Sequence, residues 1–151
     1  MLFRSLRDFA ENPALHSIMF STLRLVVTGS DGVSEGLDAS VYALFRQKFG
    51  VNVYEGFGTS ASTPIASVNV PDVITPGEWN VQVGTKVNTV GMPLPGCTFT
   101  IVDKKTGVEK AIGEVGNVRI GAPYTGLFEV EQSDAHIRGS VDEDGFLTIV
   151  R

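Results

Sequence analysis

The stretch Tyr54-Glu55-Gly56-Phe57-Gly58-Thr59-Ser60-Ala61-Ser62-Thr63 concentrates two glycines and four Ser or Thr side chains into ten residues. It follows one apolar run, Val51 to Tyr54, and precedes another, Pro64 to Val70. A glycine-rich and hydroxyl-rich loop between two strands can present backbone N–H groups and hydroxyls to an anion. On composition alone, a plain tight turn is the simpler interpretation, because glycine supplies a positive φ and Ser or Thr satisfies backbone groups there.

A strand, a helix and a second strand lead into this stretch. Leu23 to Val27 has the β-branched content of a short buried strand, and the turn 28–32 follows it. A pattern with a helical period then runs from Ser34, a suitable N-cap residue, to Gly50, a suitable C′ residue. We expect the two strands to be parallel with a right-handed crossover, so that the turns 28–32 and 55–63 face one crevice beyond the carboxyl ends of the strands.

The sequence before this unit has a helical pattern, whereas the sequence after it has short strand-like runs. Residues 2 to 10 form an amphipathic helix that Asn12-Pro13 ends, and the weaker apolar stretch Ala14–Phe20 follows as a second helix. Beyond Val70, frequent Pro and Gly residues separate short strand-like runs, which is typical of a small antiparallel sheet or barrel. These runs are Thr98–Val102, Val115–Ile120, Leu127–Val130 and Phe146–Val150, and Asp142-Glu143-Asp144 is the expected solvated turn of the last hairpin.

The predicted fold class is therefore α/β plus β, with one βαβ unit of a parallel sheet followed by a small antiparallel β-sheet or barrel. We place an α/β subdomain with a helical lead-in at residues 1–75 and a small β-rich subdomain at residues 76–151, with the boundary near residues 71–80. Self-association is expected through a truncated sheet edge, at Leu23–Val27 or its neighbour.

Composition and charge exclude several classes of function. The chain has 151 residues, of which 42% are apolar, and its net charge of −5 argues against nucleic-acid binding. Cys97 is the only cysteine, so neither a disulfide within the chain nor a cysteine-rich zinc site is predicted. No apolar run approaches the roughly 20 residues of a transmembrane helix, and the mixed charges of residues 4–11 do not fit a signal peptide. We therefore expect a cytoplasmic protein.

Four sequence blocks, taken in order, resemble the adenylate-forming (AMP-binding) superfamily, which includes acyl-CoA and acyl-carrier-protein synthetases, luciferases and peptide-synthetase adenylation domains. Leu23–Gly29 is similar to the strand that ends in the family's adenine-binding glycine turn. Gly56–Ser60 resembles the family's Gly-Tyr-Gly-x-Thr-Glu loop, and Val90–Gly96 resembles its Val-Gly-x-Pro-x-Pro-Gly turn. The fourth block is Gly113–Gly116, and residues 142–147 resemble the hairpin that precedes the family's hinge.

Two further details concern the branch of the family and the part of the chain that the resemblance covers. Ala66–Pro71 and Gly84–Lys86 look most like the branch that activates fatty acids for acyl carrier protein or lysophospholipid. The resemblance covers residues 22–151, which would correspond to the second half of the large N-terminal domain of such an enzyme.

The resemblance implies an adenylating chemistry with ATP/AMP and magnesium as cofactors. A fatty acid carboxylate attacks the α-phosphate of ATP, pyrophosphate leaves, and the acyl-adenylate passes its acyl group to coenzyme A, an acyl carrier protein or a lysolipid. In this sequence, Gly29, Ser30 and Asp31 would line the adenine, Phe57 would stack on it, and Ser60 would bind the α-phosphate. The implied nucleotide-binding residues are Gly29, Ser30, Asp31, Gly56, Phe57, Gly58, Thr59 and Ser60.

The chain also departs from the family pattern. Ala61 stands where the family has the glutamate that holds magnesium. Ala135-His136-Ile137 stands where the family has a Thr-Gly-Asp run with its ribose-binding aspartate, and Asp134 is the candidate substitute. The family's phosphate-binding loop and its domain with the catalytic lysine are not found in these 151 residues. We therefore assign no catalytic and no metal-binding residue, and we expect weak or no nucleotide binding.

Three interpretations remain open. The chain is a piece of an AMP-dependent fatty acid ligase, of the acyl-CoA or acyl-ACP synthetase / acylglycerophosphoethanolamine acyltransferase type, and is inactive alone. Alternatively, it is a degenerate, non-catalytic member that binds a partner or a lipid head group, which the missing carboxylates favour. The third interpretation is an α/β protein whose glycine-rich turns have no nucleotide function.

Overall fold

The computed structural model describes residues 2–30, 37–59, 63–77, 80–122 and 137–150. Its architecture is mixed α/β, with one mixed sheet and separate antiparallel sheets. In chain order the elements are α1 (Leu2–Glu11), a 3₁₀ turn (Ser17–Phe20), β1 (Leu25–Ser30), α2 (Ala39–Phe49), β2 (Asn52–Thr59), β3 (Thr63–Val68), β4 (Val73–Ile74), β5 (Val81–Gln82), β6 (Met92–Pro93), β7 (Thr98–Val102), β8 (Gly116–Gly121), β9 (Arg138–Val141) and β10 (Leu147–Val150).

The strands of the described residues form three sheets. The first has the order β1-β2-β3-β6, the second has the order β10-β9-β8-β7, and β4 and β5 form a two-stranded sheet. The pairs β2–β3 and β3–β6 are antiparallel, as are the pairs of the second and third sheets. The small antiparallel sheet expected in the second half of the chain is thus confirmed, whereas the parallel β1–α2–β2 unit stays a prediction.

The chain divides into two units. The first comprises Met1–Thr28 and Gly36–Tyr54, and the second comprises Gly29–Glu35 and Glu55–Arg151. The subdomain boundary that the sequence predicts near residues 71–80 lies inside the second unit, and a division there stays a prediction. Among the described residues, no helix has the length and apolar character that crossing a membrane requires.

The first unit is built around aromatic side chains of α1 and α2. The Phe9 and Phe45 rings stack with their centroids 6.2 Å apart. Lys48 Nζ donates hydrogen bonds to the carbonyl oxygens of Ala10, at 2.7 Å, and Asn12, at 2.6 Å, and thereby closes the C-terminal end of α1. The buried core of the unit consists of Ala10, Leu37, Val41, Phe45, Phe49, Val51 and Val53.

Helix α2 begins later than the sequence pattern predicts. Asp38, and not Ser34, is its N-cap residue, because the Asp38 carboxylate accepts a hydrogen bond from the Ser40 N–H at 2.8 Å. This hydrogen bond, assisted by the nearby Arg7 guanidinium, holds the pKa of Asp38 below its ordinary value. The other end agrees with the prediction, since Gly50 has a φ of 69° and ends the helix.

Strand β1 is an edge strand, and the burial predicted for Leu23 to Val27 was wrong. Leu23, Leu25 and Val27 are 41%, 40% and 41% exposed, respectively. Because successive side chains of a strand point to opposite faces, Val26 packs against the core of the first unit while its neighbours face outwards. The apolar run therefore belongs to a strand with one covered face.

One other predicted element differs from the element in the structure, and another cannot be compared with it. The stretch Ala14–Phe20 forms a 3₁₀ turn over Ser17–Phe20 instead of a second α-helix, and Ile18 is 78% exposed there. The predicted strand Leu127–Val130 lies outside the described residues. The predicted strand Phe146–Val150 corresponds to β10.

The second unit has its own hydrophobic core. The last strand, β10, is hydrogen-bonded to the segment at Val90 and Gly91 beside this core. Val90 N–H donates to the Leu147 carbonyl at 2.8 Å, and Leu147 N–H donates to the Gly91 carbonyl at 3.0 Å. Burial raises the pKa of the Cys97 thiol, which lies in this core. The core residues are Phe57, Ala66, Val90, Cys97, Ile101, Val118, Ile120, Ile137, Leu147 and Ile149.

Strands β4 and β5 were not expected from the sequence. Val73 pairs with Gln82, and Ile74 pairs with Val81. We call residues 72–83 the β4–β5 arm; every one of its described side chains is exposed.

Candidate functional site

The glycine-rich motif lies within strand β2 and not in a loop. Gly56, Phe57 and Gly58 are interior positions of this strand, and all three are buried. The predicted loop 55–63 is therefore wrong for residues 55–59. The physical reason is that pairing with β3 continues through the motif, from Gly56 opposite Val68 to Thr59 opposite Thr63.

Gly56 is a glycine because strand β3 approaches it closely. A Cβ atom at Gly56 would lie 2.7 Å from the Ser67 carbonyl oxygen. The register between β2 and β3 shifts between Phe57 and Thr59, as at a β-bulge, which places Gly58 at the irregular position. Strand packing thus accounts for Gly56, and the register shift accounts for a glycine at position 58.

Phe57 belongs to the core of the second unit. Its side chain is 0% exposed, and its ring centroid lies 6.3 Å from that of Phe99. Thr59, two residues further along β2, is also buried and has an interaction partner. A fully buried ring offers no open face to an adenine in this conformation, so stacking by Phe57 stays a prediction that requires the side chain to move.

Gly29 is the most open of the predicted site residues that the structure describes. It is exposed near the end of β1, which is the neighbour of β2 in the first sheet, and a Cβ atom placed on it would meet no atom within 4 Å. The preceding Thr28 has a buried Oγ1 atom without a hydrogen-bond partner in the described part of the chain. Among the described residues, Gly29 therefore has open backbone one residue before the end of β1, beside the motif strand.

The structure does not describe, or describes only in part, three other predicted site residues. Asp31 and Ser60 are outside the described residues, and of Ser30 only the backbone is described. Within the described ranges, no group of three or more His, Cys, Asp or Glu side chains is placed to hold a metal ion. By the resemblance, Ala61 stands where the family has its magnesium-holding carboxylate, and we assign no magnesium site.

Asn69, which sequence reasoning missed, holds strand β2 at Glu55, the residue immediately before the glycine motif. Its Nδ2 group donates to the carbonyl oxygens of Glu55, at 3.2 Å, and Thr89, at 2.7 Å. Its Oδ1 atom accepts from the Lys86 N–H at 3.2 Å and from the Thr89 hydroxyl at 3.1 Å. All four hydrogen-bonding positions of the buried amide are used. In the sequence, the feature that could have identified Asn69 is its position between Val68 and Val70, inside an apolar run with β-branched residues.

Lys86 forms a second cluster that the sequence did not reveal. Its Nζ atom lies 2.6 Å from carboxylate oxygens of both Asp142 and Asp144, and 4.8 Å from the centre of the Phe146 ring. Hydrogen bonds to Asp142 and then to Asp144 raise the pKa of Lys86 above its ordinary 10.5. Burial raises the pKa of Asp142, but the hydrogen bonds from Lys86 and from the Phe146 N–H outweigh burial and hold it below 3.8. The acidic hairpin turn is therefore tied to the segment before β6.

A Lys86→Met variant is expected to change how stability depends on pH. A carboxyl whose pKa is lowered by folding stabilises the protein above its unfolded pKa, and that contribution is lost as pH falls through the lower folded value. Between pH 7 and about pH 3, the wild-type Tm should therefore fall further than the Tm of Lys86→Met. At pH 7 the variant should already melt a few degrees lower.

Lys105→Met is the matched control, because Lys105 is exposed in the turn after β7 and its loss changes net charge equally. Thermal unfolding followed by circular dichroism at both pH values gives the comparison. Identical pH dependence in wild type and Lys86→Met would contradict the role assigned to the Lys86 cluster.

Comparison with known proteins connects this geometry to a family. Residues 1–128 match the family described as AMP-binding enzyme. The long-chain-fatty-acid–CoA ligase FadD15 of Mycobacterium tuberculosis is 30% identical over 115 residues, which are 70% of this chain and 16% of that protein. The long-chain-fatty-acid–CoA ligase 1 of Cavia porcellus is 32% identical over 136 residues, which are 88% of this chain and 17% of that protein.

A solved structure extends the similarity to the fold. The crystal structure of ATP-bound MatB from Rhodopseudomonas palustris matches with a TM-score of 0.66 at 22% identity, covering 97% of this chain and 29% of that chain. The chain therefore spans about a sixth of the length of the two ligases named above and less than a third of MatB.

Proposed function

This chain belongs to the AMP-binding enzyme family, and from that premise we propose that it supplies the adenine and α-phosphate side of the ATP site of a fatty acid ligase. The observation that supports this most directly is that β1, with the open Gly29 one residue before its end, neighbours β2, which carries the glycine motif. Two strand ends that each carry glycine and hydroxyl residues can present backbone N–H groups to a nucleotide.

The proposed chemistry of the whole ligase is acyl-adenylate formation. A fatty acid carboxylate oxygen forms a bond to the α-phosphorus of ATP, and the bond to the pyrophosphate oxygen breaks. This displacement depends on positioning and on stabilisation of developing charge. The residues of this chain would hold the adenine through Gly29, Ser30 and Asp31 and the α-phosphate through Ser60. No step is assigned to a metal ion, because Ala61 replaces the carboxylate that would hold it.

Coenzyme A is the proposed acyl acceptor, because two of the relatives are named as long-chain-fatty-acid–CoA ligases. The block Ala66–Pro71, which resembles the branch using acyl carrier protein or lysolipid, has a structural explanation. Ser67 Oγ donates to the Val90 carbonyl at 2.8 Å, and Asn69 Nδ2 donates to the Glu55 carbonyl at 3.2 Å. These hydrogen bonds give both polar residues of the block a role within the fold, so the block does not count against coenzyme A in this proposal.

The 151-residue chain alone is expected to bind AMP weakly and to leave ATP intact. With only part of the pocket, we expect a Kd of roughly 0.1–1 mM in isothermal titration with AMP. Ser60→Ala should weaken this binding by about ten- to a hundredfold, since a hydrogen bond to a charged group contributes about 1.5–3 kcal/mol. Thr75→Ala, which removes an exposed hydroxyl from the β4–β5 arm, serves as the control. Conversion of ATP to AMP and pyrophosphate by the pure chain would refute the expectation that it is inactive alone.

A second candidate function is a non-catalytic binding module. The observation that favours it is Ala61, since a catalytically active relative would be expected to keep a magnesium-holding carboxylate there. The DNA that flanks the coding region separates the two proposals. An in-frame phosphate-binding loop upstream and a lysine-bearing domain downstream support the ligase, whereas stop codons at both ends support the module.

A further inference from the structure

The Asn69 side chain adds a second hydrogen bond to a carbonyl group that the backbone already holds. The Glu55 carbonyl oxygen accepts from the Asn69 N–H at 2.8 Å and also from Asn69 Nδ2 at 3.2 Å. The Glu55 carbonyl and the Gly56 N–H belong to one planar peptide group. Holding the oxygen with two donors therefore fixes the orientation of the peptide group at which the glycine motif begins.

The segment that carries the other partners of the Asn69 amide is held in place as well. Nδ2 donates to the Thr89 carbonyl at 2.7 Å, and Oδ1 accepts from the Lys86 N–H at 3.2 Å. The Thr89 hydroxyl lies within hydrogen-bond distance of Asn69 Oδ1, at 3.1 Å, and of the Lys86 carbonyl oxygen, at 2.9 Å. The Lys86 ammonium group is in turn bound to Asp142 and Asp144. The amide thus ties the motif strand to a segment that is itself anchored.

Core packing does not explain an amide at this position. Asn69 is 4% exposed, and its neighbours in the chain are Val68 and Val70. An apolar side chain would fill the same space without the cost of removing an amide from water. The backbone hydrogen bond to Glu55 continues the pairing of β2 with β3 and does not require the side chain. The specific contribution of the amide is therefore a single, fixed orientation of the backbone beside the motif.

We propose that Asn69 is a positioning residue for AMP binding, which acts through the peptide group between Glu55 and Gly56. This inference rests on the proposed function, because it concerns the same nucleotide site. The motif residues of β2 follow directly from that peptide group, so its orientation determines where they lie. A strand that is held in its binding conformation before the ligand arrives does not have to be ordered on binding, and the affinity is correspondingly higher.

Titration of the full chain with AMP, followed by ¹H–¹⁵N NMR, tests the proposal. Asn69→Ala should weaken AMP binding about three- to tenfold, because AMP must then order a group that the wild type holds in advance. Thr89→Val removes the hydroxyl beside Asn69 Oδ1 and should change the affinity in the same direction. Thr89→Ser keeps the hydroxyl and should retain the wild-type affinity. This pair of variants provides the test if Asn69→Ala does not fold.

Ile101→Val is the control that separates affinity from stability. Ile101 is 6% exposed in the core of the same unit, so this variant should lower the Tm and bind AMP like wild type. A folded Asn69→Ala variant with the affinity of Ile101→Val overturns the inference and leaves the proposed function intact. If Asn69→Ala does not fold, equal affinities of Thr89→Val and Thr89→Ser do the same. A wild-type chain that does not bind AMP, with Ser60→Ala indistinguishable from it, overturns the proposed function and this inference together.

Discussion

A Gly91→Ala variant is expected to lose about 2–6 kcal/mol of unfolding free energy. Gly91 has a φ of 88°, and a Cβ atom there would lie 2.0 Å from the Val68 carbonyl carbon and 2.2 Å from the Asn69 nitrogen. The left-handed conformation costs a non-glycine residue about 1–3 kcal/mol, and overpacking typically costs about 1–3 kcal/mol more. Because the overlap is with backbone, no side-chain rotation relieves it. The sum is a large fraction of the roughly 5–15 kcal/mol that holds a domain together.

Urea denaturation followed by circular dichroism measures this effect, and Gly107→Ala is the matched control. Gly107 also has a positive φ, 68°, but a Cβ atom there would meet nothing within 4 Å. The control should therefore lose only the conformational contribution, about 1 kcal/mol. Equal losses of unfolding free energy in the two variants would show that crowding against Val68 and Asn69 has no part in the effect.

A Phe57→Ala variant is expected to lose about 3–5 kcal/mol of unfolding free energy, the usual cost of removing a buried phenyl ring. Phe57 is among the largest fully buried side chains of the described residues, and it packs within the core of the second unit, near Phe99. Far-ultraviolet circular dichroism in urea can follow the transition. A loss below about 1 kcal/mol would mean that the ring is not a core residue in solution.

The companion variant Phe57→Leu separates packing from ligand binding at the same position. Leucine keeps most of the apolar volume, so the cost in stability should be well below that of alanine. If Phe57 stacks on adenine, AMP affinity should nevertheless fall in Phe57→Leu, because the aromatic face is lost. Unchanged AMP affinity with a modest loss of stability would assign Phe57 to the core alone.

The order of the elements was largely predictable from the sequence, because periodicity and turn residues report local preference. The helix ending at Gly50 and the antiparallel strands of the second half follow from such patterns. The length of strand β2 was not predictable, because the strand continues through glycine and hydroxyl residues that are typical of turns. Gly56 and Gly58 carry the composition of a turn, yet pairing with β3 keeps them extended. That pairing is a tertiary effect which local propensity does not contain.

The candidate site was predictable only as a set of blocks, and the contacts that support it were not. Asn69 and Lys86 act on partners far away in sequence, such as Glu55 and Asp142, so no local pattern identifies them. Phe57 shows the opposite difficulty, since its place in a family motif suggests a ligand contact while its burial assigns it to the core. Side chains that meet only after folding are the part of the site that the sequence alone does not show.

The pair of hydrogen bonds between Val90–Gly91 and Leu147 has a consequence for the order of events during synthesis. On the ribosome, residues 90 and 91 emerge well before β10. Until β10 is available, the Val90 N–H and the Gly91 carbonyl lack their hydrogen-bond partner Leu147. Such distant pairings slow folding, because the intervening chain must close into a loop before the contact forms. A nascent chain that has not yet released Leu147 and Ile149 leaves part of its apolar interior uncovered, and chaperone binding during translation would be drawn to that interval.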